Sequence, residues 1–220
     1  MDISVTDPLP RQYVVMGGTF DPVHNGHLKS AQQLAQTLGY SAVHLMPCGD
    51  AYHKQGVSQA IHRVAMLKLA VADEPLLTVD ERETKRQGAT YTVDTLAQLR
   101  EELGQDTHIS WILGTDAALG LSDWHNWQQV FKLANIILIH RAGEHLPKGV
   151  TDKWAANEYL DPLSFKQQSH GGFIQLGLEP FQESSTAIRQ ALETEQSVDH
   201  HVPQAVLNYI EQHGLYRGNH

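Results

Sequence analysis

Two alternating patterns of apolar residues run along most of this chain. Short apolar runs predict buried strands, and they lie at residues 13–16, 42–46, 76–79, 108–113, 135–139 and 173–176. Between the runs, apolar residues that recur every three or four positions predict helices over residues 28–38, 58–72, 92–103, from about 186, and 203–213. In the second of these helices, Ile61, Ala65, Leu69 and Ala72 are expected to form the buried face. Such alternation predicts an α/β fold with a doubly wound parallel sheet and helices on both faces.

The chain is long enough for one domain with a sizeable core. It has 220 residues, of which 41% are hydrophobic, so we expect a single domain over 1–220. Over residues 142–172 the alternation of strand and helix patterns stops, and a mixed polar stretch follows. We expect this stretch to be a variable insertion with little core of its own. No apolar run reaches the ~18 residues of a membrane span, and no basic-then-apolar leader opens the sequence. No membrane attachment is therefore expected.

The net charge and the cysteine content limit the kinds of partner and the cellular compartment that we expect for this protein. A formal net charge of −9 argues against a nucleic-acid surface. It leaves a phosphate ligand open, because a small pocket depends on local donors. Cys48 is the one cysteine, which excludes an internal disulfide and favours a reducing, cytoplasmic location. The 14 histidines are scattered and make no Cys/His zinc pattern.

The most specific segment joins the first predicted strand to the first predicted helix. It reads Gly17-Gly18-Thr19-Phe20-Asp21-Pro22-Val23-His24-Asn25-Gly26-His27. Glycines let backbone N–H groups approach an anion, and a helix start adds roughly half a positive charge. Two imidazoles at that point can donate to a phosphate whose charge grows during reaction. The segment lacks the lysine of a Walker loop and the spacing of a dinucleotide fingerprint. The alternative is a strand–turn–helix corner with incidental histidines.

A second candidate lies near the end of the chain, at Ser184-Ser185-Thr186-Ala187-Ile188-Arg189. Hydroxyls before a helix are ordinary N-caps, worth ~1 kcal/mol. The same hydroxyls, the free N–H groups and Arg189 can also hold phosphate oxygens. Both interpretations stay open on this segment alone.

Together the two segments resemble the signatures of the nucleotidyltransferase superfamily that is named for its His-x-Gly-His loop. The second is similar to its Ile-Ser-Ser-Thr-x-Ile-Arg segment, with Glu183 in place of the aliphatic residue. We expect that side chain to point outward. The resemblance implies a Rossmann-like fold of the nucleotidyltransferase type.

Further segments resemble bacterial nicotinate-nucleotide adenylyltransferases over nearly the whole chain. They are residues 80–96, Leu113-Gly114-Thr115-Asp116, Trp124-His125, residues 140–143 and the C-terminal stretch 206–216. This family resemblance implies transfer of the adenylyl group of ATP to nicotinate mononucleotide, which yields nicotinate adenine dinucleotide and pyrophosphate. ATP and nicotinate mononucleotide are then the implied partners, and Mg²⁺ would be carried with ATP, with no metal-binding residue in the chain.

The resemblance also implies roles for individual residues. His24 and His27 would act on the phosphates as catalytic residues. ATP would be bound by Gly17, Gly18, Thr19, Phe20, His53, Lys54, Ser185, Thr186 and Arg189. Nicotinate mononucleotide would be bound by Thr92, Asp116, Trp124, His125 and Arg141, with the backbone N–H groups near Thr92 and the main chain of His125 holding the nicotinate ring and carboxylate.

Several of these roles have structural alternatives. Trp124 could belong to the core or to a surface patch, and Asp116 could cap a helix rather than position the ribose or a metal. Arg63 and Arg141 could be solvated surface charges. Ala51 and Tyr52 replace two prolines of the family's loop, which raises the entropic cost of ordering it. The alternative functions are a phosphopantetheine adenylyltransferase, or another member of the superfamily, and a nucleotide sensor without activity.

Overall fold

The computed structural model describes residues 9–49, 56–141, 154, 157–179, 181 and 183–217. These residues form two compact units. The first unit holds residues up to 14 and residues 91–177, and the second holds residues 15–90 and those from 178 onward. The single domain expected from chain length stays a prediction.

Strands and helices alternate along the chain as its apolar pattern predicts. The strands are β1 (Gln12–Gly18), β2 (Val43–Pro47), β3 (Leu77–Val79), β4 (His108–Gly114), β5 (Asn135–Arg141), β6 (Glu158–Tyr159) and β7 (Gly172–Leu178). The helices are α1 (Asn25–Leu38), α2 (Ala60–Ala70), α3 (Thr92–Leu103), α4 (Thr115–Leu119), α5 (Trp127–Leu133), α6 (Pro162–Gln167), α7 (Ser185–Glu193) and α8 (Gln204–Gln212). A 3-10 turn at Leu121–Asp123 follows α4.

The second unit is built on parallel strands in the order β3–β2–β1. Gly18 at the end of β1 is in register with Pro47 at the end of β2. Because parallel strands end at the same edge, the loop after β1 lies beside the loop after β2. The Cys48 N–H donates to the Gly18 carbonyl at 2.9 Å and joins the two loops.

The first unit contains strands in the order β4–β5–β7–β6. Strands β4 and β5 run parallel, and so do β6 and β7. Six consecutive residues of β4, His108 to Leu113, are buried, as expected for a strand covered on both faces. Its buried polar groups are paired: the Asn135 amide donates to the carbonyls of Ile109 and Gln168 at 3.3 and 2.9 Å. The α/β, Rossmann-like class predicted from the sequence is confirmed.

The predicted face of α2 is wrong. Ile61 is 69% exposed and Leu69 is 40% exposed. The buried side chains of this helix are Ala60, Arg63, Met66, Leu67 and Ala70. Counting only apolar residues misplaced the face because a charged residue, Arg63, lies at its centre. The pattern also did not predict α4, α5, α6 or β6, all of which are shorter than eight residues.

The expected insertion, residues 142–172, contributes more to the core than its composition suggested. Of its described residues, Trp154, Leu160 and Phe165 are buried. The Trp154 ring packs against Phe131 and Phe173, with both centroid distances 5.6 Å. These contacts belong to the first unit, and whether the segment is variable stays a prediction. No helix in the described part of the chain has the length and apolar character needed to cross a membrane.

Candidate active site

The two histidines predicted for the phosphate site cap the first helix with their own side chains. The His27 N–H donates to Nδ1 of His24 at 3.4 Å, and the His24 N–H donates to Nδ1 of His27 at 3.4 Å. The two rings stack with centroids 3.6 Å apart. This reciprocal cap satisfies backbone donors that a helix start would otherwise leave free. It depends only on the three-residue spacing, which is why the sequence alone could indicate it.

The cap also determines which ring nitrogen can donate a hydrogen bond to a ligand. Each Nδ1 accepts a backbone N–H, so the proton of a neutral ring resides on Nε2. Burial lowers the pKa of His24 to about 4, although the Glu183 carboxylate opposes this shift. Burial, together with the neighbouring His24, also lowers the pKa of His27 well below its ordinary value. Both rings are therefore neutral Nε2–H donors at neutral pH.

The glycines of the loop are required by close side chains. A Cβ on Gly18 would meet the Phe20 ring at 3.0 Å, and a Cβ on Gly26 would meet Nδ1 of His24 at 3.1 Å. Phe20 is buried and meets His27 edge to face, with centroids 4.9 Å apart. The loop is thus folded tightly around the two imidazoles, and Gly17 is the exposed glycine at its entrance.

Arg63 is a buried clamp on this loop, and its interpretation as a solvated charge is wrong. Its side chain is 0% exposed. It donates to the carbonyls of Ser58, Thr19 and Gly49 at 2.9, 3.0 and 3.2 Å. A buried guanidinium supplies several donors in one plane, which suits three converging carbonyls. Arg63 therefore fixes the loops after β1 and β2 from within.

Asp21 organises the other side of the loop. Its carboxylate accepts from the Tyr216 hydroxyl at 2.5 Å and from the Ser58 N–H at 3.1 Å. Its backbone carbonyl accepts from Nη1 of Arg189 at 2.6 Å. Burial and the bond to Asp21 raise the pKa of Tyr216, so its hydroxyl stays a donor. Tyr216 and Arg189 are thereby tied to the loop that carries the histidines.

The start of α7 is both a helix cap and part of this cluster. Ser184 is the N-cap, and its Oγ accepts from the Ala187 N–H at 3.4 Å. The Ser185 hydroxyl donates to the Pro22 carbonyl at 3.0 Å. Thr186 is exposed, and its Oγ1 accepts from Nη2 of Arg189 at 3.5 Å. The α7 start is therefore attached to the β1–α1 loop, with Thr186 and Arg189 open to a ligand.

The expectation that Glu183 points outward is wrong. Its side chain is 10% exposed, and Oε1 lies 3.8 Å from Nδ1 of His201. A Cβ on Gly26 would meet the Glu183 Cβ at 3.3 Å. The absence of a side chain at Gly26 leaves room for the Cβ of Glu183 beside the start of α1.

The residues predicted to bind the nicotinate group lie in the first unit. Helix α3 begins at Thr92, and its N-cap, Tyr91, makes no side-chain cap bond. The first N–H groups of a helix have no carbonyl within it, so this helix start offers donors to a carboxylate. Nearby, the exposed Tyr91 ring packs against the His125 ring at 4.5 Å between centroids. Trp124 is partly exposed, which excludes a fully buried core position but not a place in a surface patch.

Three further predictions have different outcomes. Asp116 is exposed and lies in the first turn of α4, whose N-cap is Gly114, so its interpretation as the helix cap is wrong. Arg141 ends β5, and its side chain lies outside what the structure describes. His53 and Lys54, with the replaced prolines at 51 and 52, also lie outside the described residues.

The described residues do not fit a resident metal ion. No group of three or more histidine, cysteine or acidic side chains converges among them. The acidic side chain of the β1–α1 loop, Asp21, is already bonded to Tyr216 and Ser58. A divalent cation needs several free oxygen ligands, or phosphates that carry it.

Four residues of the site had no predicted role: Asp21, Tyr91, His201 and Tyr216. Tyr91 and Tyr216 lie in segments that resemble the family, and this resemblance was the signal that could have identified them. Asp21 lies within the glycine-rich segment 17–27, and that position was its signal. His201 had no signal, because its place beside Glu183 depends on tertiary folding.

Comparisons with known proteins show the family of this chain. The model of the cytidylyltransferase-like family matches residues 15–191. A relative from Chromobacterium violaceum, named a probable nicotinate-nucleotide adenylyltransferase, is 40% identical over 92% of this chain and 97% of its own. A relative from Pseudomonas fluorescens with the same name is 40% identical over 92% of this chain and 96% of its own.

A solved structure shares the fold at much lower sequence identity. It is the nicotinic acid mononucleotide adenylyltransferase of Plasmodium falciparum complexed with NaAD, which is 16% identical to this chain. The superposition has a TM-score of 0.72 and covers 94% of this chain and 97% of that one.

Proposed function

Since this chain belongs to the cytidylyltransferase-like family and, within it, to the nicotinate-nucleotide adenylyltransferases, we propose that its second unit binds the triphosphate of ATP and its first unit the nicotinate nucleotide. The reaction transfers the adenylyl group of ATP to nicotinate mononucleotide and is a step of NAD biosynthesis. The observation that carries the assignment of the phosphate site is the reciprocal cap of His24 and His27, which leaves Nε2–H of both rings to donate.

In the proposed mechanism, a phosphate oxygen of nicotinate mononucleotide attacks the α-phosphorus of ATP. The new P–O bond forms as the bond to the β-phosphate oxygen breaks, and pyrophosphate leaves with that electron pair. Positioning and charge stabilisation supply most of the catalysis in such transfers. His24 and His27 donate to the oxygens of the transferring phosphate, where negative charge grows. Neither histidine forms a covalent bond to the substrate.

Positive charge for the triphosphate comes from other groups. Arg189 is held by the Asp21 carbonyl at 2.6 Å and therefore has a defined position. The starts of α1 and α7 add backbone N–H groups and the positive ends of their dipoles. The exposed Thr186 hydroxyl and the glycine backbone of Gly17 and Gly18 complete the proposed triphosphate contacts. His53 and Lys54 stay proposed contacts by resemblance.

Nucleotidyltransferases generally use a divalent metal ion with ATP, and we propose that Mg²⁺ enters here bound to the ATP phosphates. The described residues offer no convergent ligand set of their own. The ion is then part of the substrate, and its chemistry is to neutralise phosphate charge.

The nicotinate group is proposed to bind in the first unit. The N–H groups at the start of α3, at Thr92, select a carboxylate over an amide. A carboxylate is a charged acceptor and forms the stronger, charge-assisted hydrogen bonds, whereas an amide oxygen is neutral. Trp124 is partly exposed and offers a flat face to the pyridine ring. The main chain of His125, with Asp116 and Arg141, completes the proposed contacts of the nucleotide.

A pyrophosphate-release assay with ATP and one acceptor at a time tests this function. We expect release with nicotinate mononucleotide, and at least a tenfold lower kcat/KM with nicotinamide mononucleotide, since a charged hydrogen bond contributes ~1.5–3 kcal/mol. Equal use of both acceptors would contradict the proposed carboxylate site. Release with phosphopantetheine alone would favour the phosphopantetheine enzyme, and ATP binding without release would favour a sensor.

A further inference from the structure

An exposed aromatic ring occupies the position that normally caps a helix. Tyr91 is the N-cap of α3 and makes no side-chain cap bond. It is 43% exposed, so its ring is not part of the core of the first unit. Serine, threonine, aspartate and asparagine are preferred at N-caps because their oxygens accept from the first N–H groups of the helix. A tyrosine leaves those N–H groups to other partners and directs its ring to a different contact.

That contact is the imidazole of His125. The two ring centroids are 4.5 Å apart and the ring planes are inclined by 32°. This separation is within the range in which aromatic rings attract each other. The Tyr91 hydroxyl has no hydrogen-bond partner in the described part of the chain. The ring, and not the hydroxyl, is therefore the part of Tyr91 that makes a specific contact.

His125 lies in a short irregular segment between the 3-10 turn and α5. Before it, the Trp124 N–H donates to the Leu121 carbonyl at 3.1 Å, and the Trp124 carbonyl accepts from the Trp127 N–H at 3.2 Å. The His125 N–H has no such partner among the residues that the structure describes. Two side-chain contacts hold this residue instead: the Tyr91 ring, and the Asn126 amide nitrogen at 2.9 Å from Nε2.

The backbone after His125 adds a further restraint. Asn126 has a φ of 51°, in the left-handed region that asparagine tolerates better than most residues. The chain therefore turns sharply directly after His125 and enters α5 at Trp127. A residue between two tight turns has few ways to move, so a ring contact on its side chain also orients its backbone N–H.

The stack joins the two elements that carry the proposed donors for the nicotinate carboxylate. Thr92 follows Tyr91 directly and begins α3, where the first N–H groups have no carbonyl within the helix. The other proposed donor is the His125 main chain. A carboxylate has two oxygens at a fixed separation, so donors on two elements bind it best when their separation is set beforehand.

We propose that the stack of Tyr91 on His125 is a positioning contact, which holds the start of α3 and the His125 backbone at the separation that the nicotinate carboxylate requires. The inference rests on the proposed function, since it requires nicotinate mononucleotide to bind between these donors. Tyr91 acts through His125, and it is a positioning residue rather than a catalytic one.

The first experiment measures pyrophosphate release by the wild type, Tyr91→Ala and Tyr91→Phe while each substrate is varied in turn. We expect Tyr91→Ala to raise KM for nicotinate mononucleotide about threefold to tenfold, the size expected for the loss of one aromatic pair. KM for ATP and kcat should stay at the wild-type values, because neither the triphosphate site nor the transferring phosphate is touched. Tyr91→Phe should behave as the wild type, because it keeps the ring. Circular dichroism and thermal unfolding establish that each variant is folded.

A double-mutant cycle separates positioning from direct contact with the substrate. His125→Ala removes the second ring and keeps the backbone N–H, so it should raise KM for nicotinate mononucleotide by a factor similar to that of Tyr91→Ala. The variant that carries both changes should be no weaker than either single variant, since the stack is lost only once. If the Tyr91 ring contacted the substrate itself, Tyr91→Ala would raise KM by the same factor with and without the His125 ring.

Two matched controls remove similar side chains elsewhere in the first unit. His170→Ala removes an exposed imidazole that, like His125, contacts a polar neighbour in sequence, with Nδ1 2.8 Å from the Ser169 hydroxyl. Leu163→Ala removes an apolar side chain of α6 that is 60% exposed. Both variants should keep the wild-type KM for nicotinate mononucleotide.

Three results would overturn the inference. They are a folded Tyr91→Ala variant with the wild-type KM for nicotinate mononucleotide, a Tyr91→Phe variant as weak as Tyr91→Ala, and independent effects in the double-mutant cycle. Failure of the proposed function looks different, because the wild type would then release no pyrophosphate with nicotinate mononucleotide. In that event, the calorimetric Kd of nicotinate mononucleotide for the same variants decides the inference, and a wild type that does not bind this nucleotide overturns it.

Discussion

Arg63 offers the sharpest test of how the loops after β1 and β2 are held. Replacing it with methionine keeps an unbranched side chain of similar reach and removes the guanidinium. The carbonyls of Ser58, Thr19 and Gly49, which the guanidinium bonds at 2.9–3.2 Å, then lose their donor. Because Arg63 is 0% exposed, water does not replace that donor without rearrangement.

The size of the loss follows from these three bonds. A buried polar group left without a partner costs about 1–3 kcal/mol, so three carbonyls set an upper range of roughly 3–9 kcal/mol. Relaxation of the loops lowers that figure, and we expect Arg63→Met to reduce the free energy of unfolding by about 3–5 kcal/mol. Arg63→Lys keeps the charge, but an ammonium cannot reach all three carbonyls in one plane, so its loss should be smaller.

Urea unfolding, followed by circular dichroism and tryptophan fluorescence, measures these differences. Lys68→Met is the matched control, because Lys68 is on the same helix, is 54% exposed and forms a surface pair with Glu81 at 2.6 Å. Such a pair is worth at most about 1 kcal/mol. If Arg63→Met is no less stable than Lys68→Met, the argument that Arg63 secures the two loops is refuted.

Three further predictions address the site and the stability of the chain. His27→Ala should lower kcat for pyrophosphate release by roughly 10²–10³, the cost of one preorganised donor, and a folded variant with near-normal kcat would make His27 structural only. Trp124→Ala should raise KM for nicotinate mononucleotide by about tenfold, since stacking is worth ~1–3 kcal/mol, and equal weakening for ATP would contradict the proposed nicotinate site. The free energy of unfolding should fall as the pH drops from about 6.5 to about 4, because burial lowers the pKa of His108 to about 4 whereas the unfolded chain binds this proton near its ordinary value. Over that range protonation of His108 accounts for a loss of about 3 kcal/mol in the free energy of unfolding. Urea titrations of His108→Gln at the two pH values should therefore show a clearly smaller loss than those of the wild type. An equal loss in both proteins would mean that other groups cause the acid sensitivity.

The sequence by itself determined the features that depend on neighbouring residues. The longer strands and helices follow from the spacing of apolar residues, and the proposed phosphate loop was indicated by two histidines three positions apart with a glycine between them. The cap between His24 and His27 is local, since each ring reaches the backbone of the other within one helical turn. Such features need no partner from elsewhere in the chain.

Tertiary structure decided where charged side chains end up. The buried face of α2 includes Arg63 only because the loops after β1 and β2 bring three carbonyls to it. Glu183 lies inward because Gly26 leaves room beside it and the turn at His201 is fixed to α1. The hydrophobic pattern places charges on the surface, where water solvates them at no cost. A buried charge is stable only with partners distant in sequence, and those partners exist only once the chain has folded.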